Sequence, residues 1–190
     1  QRAYRARDRC LRRPYGQSSR LPQHSVPHAQ RIERAFCEIS SIPGGQGRLT
    51  ELRRHAGPLV LTPHEREFER LFGQPLPNKP SGRMALAKKL SKFYDVVLVL
   101  KGHRTLVVES PQVYVNTTGN PGMAKGGTGD VLTGIIASFI GQGLGAFQAA
   151  VWAVYFHGKA GDFAARQKGE LALTASDLID ALPKVFKNKS

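Results

Sequence analysis

The sequence predicts an α/β domain across residues 44–190, a largely parallel sheet flanked by helices. Three observations carry that expectation. Val96 to Leu100 is an unbroken apolar run, as in a strand covered by helices on both faces. Strand-like runs alternate with segments of helical period on either side of it. A glycine-rich stretch, Asn120 to Gly134, leads directly into an apolar helix, where free backbone amides form an anion site. A length of 190 residues suits one domain.

Residues 1–43 differ from the rest. They hold nine Arg and no Lys against three acids, a net +6, whereas residues 44–190 reach +8 with mixed Lys and Arg against eleven acids. No apolar period of 2 or 3.6 residues runs through them. They are expected to form a non-homologous basic tail, disordered or read in a shifted frame, rather than the native start of the domain. The total charge of +14 first suggests a nucleic-acid binder. The lysines, spread from Lys79 to Lys189, argue against one, so nucleic acid is not the expected partner. No apolar run approaches the roughly 18 residues of a membrane span. Cys10 and Cys37 make neither a disulfide framework nor a zinc site. Without a signal-peptide pattern at the start, the cytoplasm is the expected compartment.

From about Gly47 the chain becomes orderly. Leu49 to His55 has a short helical pattern, which Gly57-Pro58 breaks. Leu59 to Leu61 reads as a buried strand ending at Thr62-Pro63. Phe68, Leu71 and Phe72 then mark a helix whose early acids, Glu65, Glu67 and Glu69, suit the positive end of its dipole. Gly73 closes it. A proline-rich loop precedes a helix through Met84, Leu86, Ala87 and Leu90, with Ser81 as its expected N-cap. After the strand Asp95 to Leu100, two further strands, Arg104 to Glu109 and Val113 to Asn116, are joined by a Ser110-Pro111 turn. An apolar helix from about Asp130 stops at Gly141; others run from Gly145 to about Ala165 and from Ser176 to Phe186.

Asn120 to Gly134 is the most informative segment. It is neither a GxxxxGK[ST] loop nor a GxGxxG turn. Gly129-Asp130 places a carboxylate at the mouth of an anion hole. Such a group can take a proton from a hydroxyl while neighbouring amides hold a phosphoryl group. The other reading of Asp130 is a helix N-cap.

Three strings together resemble one family. GNPGMAKGGTGDVLTGIIASFIGQG, LTPHEREFERLFG (Leu61 to Gly73) and VLKGHRT (Val99 to Thr105) are similar in order and spacing to the ADP/ATP-dependent NAD(P)H-hydrate dehydratases. These carbohydrate-kinase-like enzymes have a ribokinase-like fold. The likeness covers roughly residues 47 to 190. It implies a lyase that spends ADP or ATP, with Mg2+, to dehydrate the hydrate of NADH or NADPH. The hydrate's hydroxyl is phosphorylated first, because phosphate leaves more readily than hydroxide.

Carried over by position, the resemblance makes Asp130 the catalytic residue and a substrate contact. It assigns the nucleotide to Lys101, Gly102, His103, Arg104 and Thr105 together with Asn120, Gly126, Gly127, Thr128 and Gly129. It assigns the substrate also to His64 and Glu67, and names no magnesium ligand. Plainer readings stand beside these: a solvated Lys101, a helix-capping His64, and His157 as a core or pocket-wall residue. Lys125, where many members have Thr or Ser, is expected to add charge beside the phosphates. The strands and helices that precede the TPH segment in the family are not matched by residues 1–43, so the domain is expected to lack its N-terminal part and the chain to show little turnover. A homo-oligomer is left open. The other function classes are a ribokinase-like kinase of a small hydroxylated metabolite and a basic nucleic-acid-binding protein.

Overall fold

The structure, a computed structural model, describes residues 59–187. The expected tail and the helical pattern at Leu49 to His55 lie outside the described residues. In chain order come β1 (Val60–Leu61), α1 (Glu65–Phe72), α2 (Pro80–Tyr94), β2 (Val97–Leu100), β3 (Leu106–Glu109), β4 (Gln112–Val115), a 3-10 turn (Pro121–Met123), α3 (Thr128–Gly141), α4 (Ala146–Lys168) and α5 (Ala175–Lys187). The α/β class holds, with helices on both faces of a four-stranded sheet in the order β1-β2-β3-β4.

The described sheet is mixed rather than largely parallel. Only β1 and β2 run parallel; β2 with β3 and β3 with β4 are antiparallel. The connections explain this. A parallel return needs a crossover of a dozen or more residues, and the run containing α1 and α2 supplies one between β1 and β2. Lys101 to Thr105 and Ser110-Pro111 are too short for anything but antiparallel turns.

Side-chain alternation along β2 divides the core. Val96, Leu98 and Leu100 point toward α1 and α2, where they meet Leu61, Phe68, Leu71, Ala87 and Leu90. Val97 and Val99 point the other way, to Leu132, Ile135 and Ile136 of α3 and Ala149, Ala150 and Ala153 of α4. Phe68 is fully buried; truncating such a side chain to Ala costs about 3–5 kcal/mol. A third cluster, Ala160, Ala164, Leu173, Leu178 and Ala181, joins α4 to α5. Buried Ser91 ties the layers together: its hydroxyl donates to Val96 O (2.8 Å) and accepts from Ser110 N–H (3.2 Å).

One expected cap, Ser81, and the alternative reading of Asp130 as a cap differ from what is observed. α2 begins one residue before Ser81, with Pro80 in its first turn and Lys79 as N-cap. Proline's fixed φ suits that first position, and its missing N–H is not needed there. α3 begins at Thr128 behind Gly127, so Asp130 is its third residue and not its cap. Gly73 closes α1 as expected, in the left-handed conformation (φ 66°). Among the described residues no helix is long and apolar enough to cross a membrane.

Candidate active site

Because β1 and β2 are parallel neighbours, their carboxyl ends emerge side by side. Lys101 N–H continues the ladder by donating to Pro63 O (2.9 Å). Open α/β sheets place ligands beyond such ends. At the end of β1, His64 caps α1 in a reciprocal box: His64 Nδ1 accepts from Glu67 N–H (3.2 Å), and Glu67 Oε2 accepts from His64 N–H (2.7 Å). The helix-cap reading of His64 is therefore correct as far as its Nδ1 goes. Its Nε2 lies 3.3 Å from Glu67 Oε1, and the ring is about half exposed.

Lys101, at the end of β2, joins three motifs. Its Nζ lies 3.3 Å from Glu67 Oε2. The same Nζ would lie 3.3 Å from a Cβ placed on Gly129, so a larger residue there would crowd the ammonium. The ammonium is thus fixed between the TPH segment and the first turn of α3. A merely solvated lysine would not be so held. The four residues after it form a tight turn in which Thr105 Oγ1 donates to Gly102 O (3.0 Å). Gly102, His103 and Arg104 are exposed there.

The glycine-rich loop reaches the same place from the other side. Gly127 takes φ 84°, the left-handed conformation that lets the chain turn into α3. The first intrahelical bond is from Val131 N–H to Gly127 O (3.2 Å), so the amides of Gly129 and Asp130 precede it and are available to an anion. Thr128 is buried, and its hydroxyl is shared between Met123 O (2.9 Å) and Lys125 O (2.8 Å). It braces the loop, as does its own N–H, which donates to Lys125 O (3.4 Å). Lys125 Nζ donates to Leu171 O (2.5 Å), which fastens the loop to the α4–α5 connection and leaves the ammonium charged. Asn120 Nδ2 is likewise engaged, with Asp162 Oδ1 (3.1 Å). Asp130 is exposed at the loop mouth. From it and Gly127 an apolar groove of about 850 Å³ runs between α3 and α5, past Val131, Ile135, Phe139 and Ile179.

Sequence reasoning gave α4 no part in the site beyond a histidine in the wall. His157 Nε2 lies 2.8 Å from Thr128 O. A carbonyl can only accept, so this nitrogen carries the proton. Burial, reinforced by the charge of Lys101, lowers the His157 pKa, although the bond to Thr128 works against the shift. Asp162 accepts from Gly119 N–H (3.0 Å) and from Asn120. The available signal was GKAG: Gly158 and Gly161 inside a helix, each costing about 1 kcal/mol against Ala, need a packing reason.

No three His, Cys, Asp or Glu side chains gather to hold a metal among the described residues. Magnesium does not require such a cage, since it commonly keeps several waters and uses substrate phosphates with one or two carboxylates. An exposed Asp130 beside free amides fits that mode of binding.

Comparison with known proteins identifies the family and the fold. Residues 47–184 match the NAD(P)H-hydrate dehydratase family. The bifunctional NAD(P)H-hydrate repair enzyme Nnr of Moorella thermoacetica is 52% identical over 133 residues, which cover 70% of this chain and 25% of that protein. The ADP/ATP-dependent NAD(P)H-hydrate dehydratase of Bacillus subtilis, crystallised with ATP and Mg2+, superposes with a TM-score of 0.66 at 36% identity, covering 71% of this chain and 49% of its own. A ribokinase-like superfamily protein of Enterococcus faecalis gives 0.61 at 30% identity, over 79% of this chain and 55% of that one. The chain thus spans a quarter of the Moorella protein and about half of each solved chain.

Proposed function

The chain belongs to the NAD(P)H-hydrate dehydratase family, and we propose that it uses ADP or ATP to restore NADH or NADPH from its hydrate, acting in the cytoplasm. The observation that carries this reading is the position of Lys101 Nζ, against Glu67 and beside Gly129 at once. It joins the proposed substrate, nucleotide and anion-loop segments in one mouth. A kinase of a small alcohol would need the anion loop and its aspartate but not the His64–Glu67 box.

In this reading the terminal phosphoryl group of ADP or ATP lies against the amides of Gly129 and Asp130, with Lys101 near the phosphates. The 101–105 turn and the apolar groove beyond Gly127 receive the rest of the nucleotide. His64 and Glu67 border the hydrate. Asp130 takes the proton from the hydrate's hydroxyl as its oxygen attacks phosphorus, and the bond to AMP or ADP breaks. The amides hold the charge that develops on the transferred group. Expulsion of phosphate, with loss of a proton from the adjacent ring carbon, then restores the dihydronicotinamide double bond. Magnesium, when bound, would neutralise the phosphate charges, with Asp130 as the carboxylate at hand.

The test is conversion of NADH hydrate, followed at the dihydronicotinamide absorbance band with ADP and ATP in turn. It is run on the chain and on the chain joined to the amino-terminal half of the Bacillus subtilis relative. Nucleotide-dependent recovery of NADH supports the reading. Phosphorylation of a simple alcohol with no action on the hydrate would replace it with the kinase.

A further inference from the structure

α4 meets the glycine-rich loop along one face. Gly158 lies so close to Thr118 that a Cβ there would fall 2.1 Å from its Oγ1, and a Cβ on Gly161 would fall 2.2 Å from Met123 Sδ. Beside them, Asp162 Oδ2 accepts from Gly119 N–H (3.0 Å) and Oδ1 from Asn120 Nδ2 (3.1 Å). Thr118 Oγ1 also lies 3.0 Å from Tyr155 O on the same helix. An ionised carboxylate only accepts, so it fixes which way the Asn120 amide points. The Asn120 Oδ1 is left buried, with no hydrogen-bond partner among the described residues. The loop is therefore bound to α4 at its entry by Asp162 and at its exit by His157.

We propose that Asp162 is a positioning residue of the phosphoryl site, holding the loop's entry so that the amides after Gly127 meet the anion already in place. The inference rests on the reading of that loop as the phosphoryl site. Both carboxylate oxygens are occupied by loop donors, which is how an acid can stand behind an anion-binding loop. Amides that are already aligned spare the ordering cost that a slack loop would pay on binding.

The test uses the full chain and its Asp162→Ala and Asp162→Asn variants, with Ser91→Ala as a control that loses buried hydrogen bonds away from the loop. Amide order parameters across residues 119–130, melting temperature and ADP affinity with magnesium are measured for each. Asp162→Ala should drop the loop from the rigid range near 0.85 to below about 0.6, and weaken ADP at least about tenfold. Asp162→Asn, which keeps one acceptor, should fall between, and it carries the test if the alanine variant does not fold. Ser91→Ala, compared at the same interval below its own melting temperature, should bind ADP like the parent. A loop as ordered in the Asp162 variants as in the parent, or ADP affinity no weaker than in Ser91→Ala, overturns the proposal. Failure of the parent to bind ADP sinks the phosphoryl site itself, a separate result, since the role of Asp162 in the loop is read from the amides.

Discussion

Lys101 Nζ stands 3.3 Å from Glu67 Oε2, binding the end of β2 to the first turn of α1 across 34 residues of chain. Glu67 is simultaneously the acid that completes the His64 capping box. One carboxylate thus shapes a helix start and fixes the ammonium proposed to meet the nucleotide. Both side chains are largely buried, at 26% and 17% exposure, so solvent screens the pair less than it would at the open surface.

Lys101→Met should weaken ADP binding by about 10- to 100-fold, the range for losing one hydrogen bond to a charged group. Titration calorimetry on parent and variant measures it. Unchanged affinity would mean that Lys101 serves Glu67 alone.

Asp130→Asn should lower turnover of NADH hydrate by about 100- to 10,000-fold, the usual loss for a positioned base. ADP affinity measured without magnesium should hold, because the amides of Gly129 and Asp130 and the Lys101 ammonium remain. Both quantities are read in the chain joined to the Bacillus subtilis amino-terminal half. Equal losses in binding and turnover would contradict the assignment.

The lowered pKa of His157 gives stability a definite pH dependence. Below the ordinary value near 6.5 the unfolded chain takes up this proton before the folded chain does. The contribution is complete above about pH 6.5 and is lost as pH falls through the lower folded value. Melting temperature should therefore drop as pH falls below about 6.5, and His157→Gln should flatten that part of the curve. A variant whose curve parallels the parent's would show that His157 contributes nothing to it.

Gly161→Ala should destabilise the fold by up to about 2 kcal/mol, the over-packing cost of about 1–3 kcal/mol less about 1 kcal/mol of helix propensity, because the added methyl would fall 2.2 Å from Met123 Sδ. The cost should shrink in a Met123→Ala background. Denaturant unfolding of the four proteins in the cycle gives the coupling. Purely additive effects would show that the contact is not what excludes a side chain at residue 161.

The sequence by itself determined the α/β class, nearly every element and the three motifs, because each depends on local order. The apolar run ending at Leu100 marked a doubly covered strand, and the glycine-rich turn into an apolar helix marked free amides. Only the tertiary structure decided that the sheet is mixed, that Lys101 and Glu67 pair, that Lys125 donates to the Leu171 carbonyl, and that α4 holds the loop through Gly158, Gly161, His157 and Asp162. These are meetings between residues far apart in sequence. Periodicity and caps record how a chain relates to itself over a few residues, whereas the partner of a charge or the neighbour of a glycine is set by how whole elements pack.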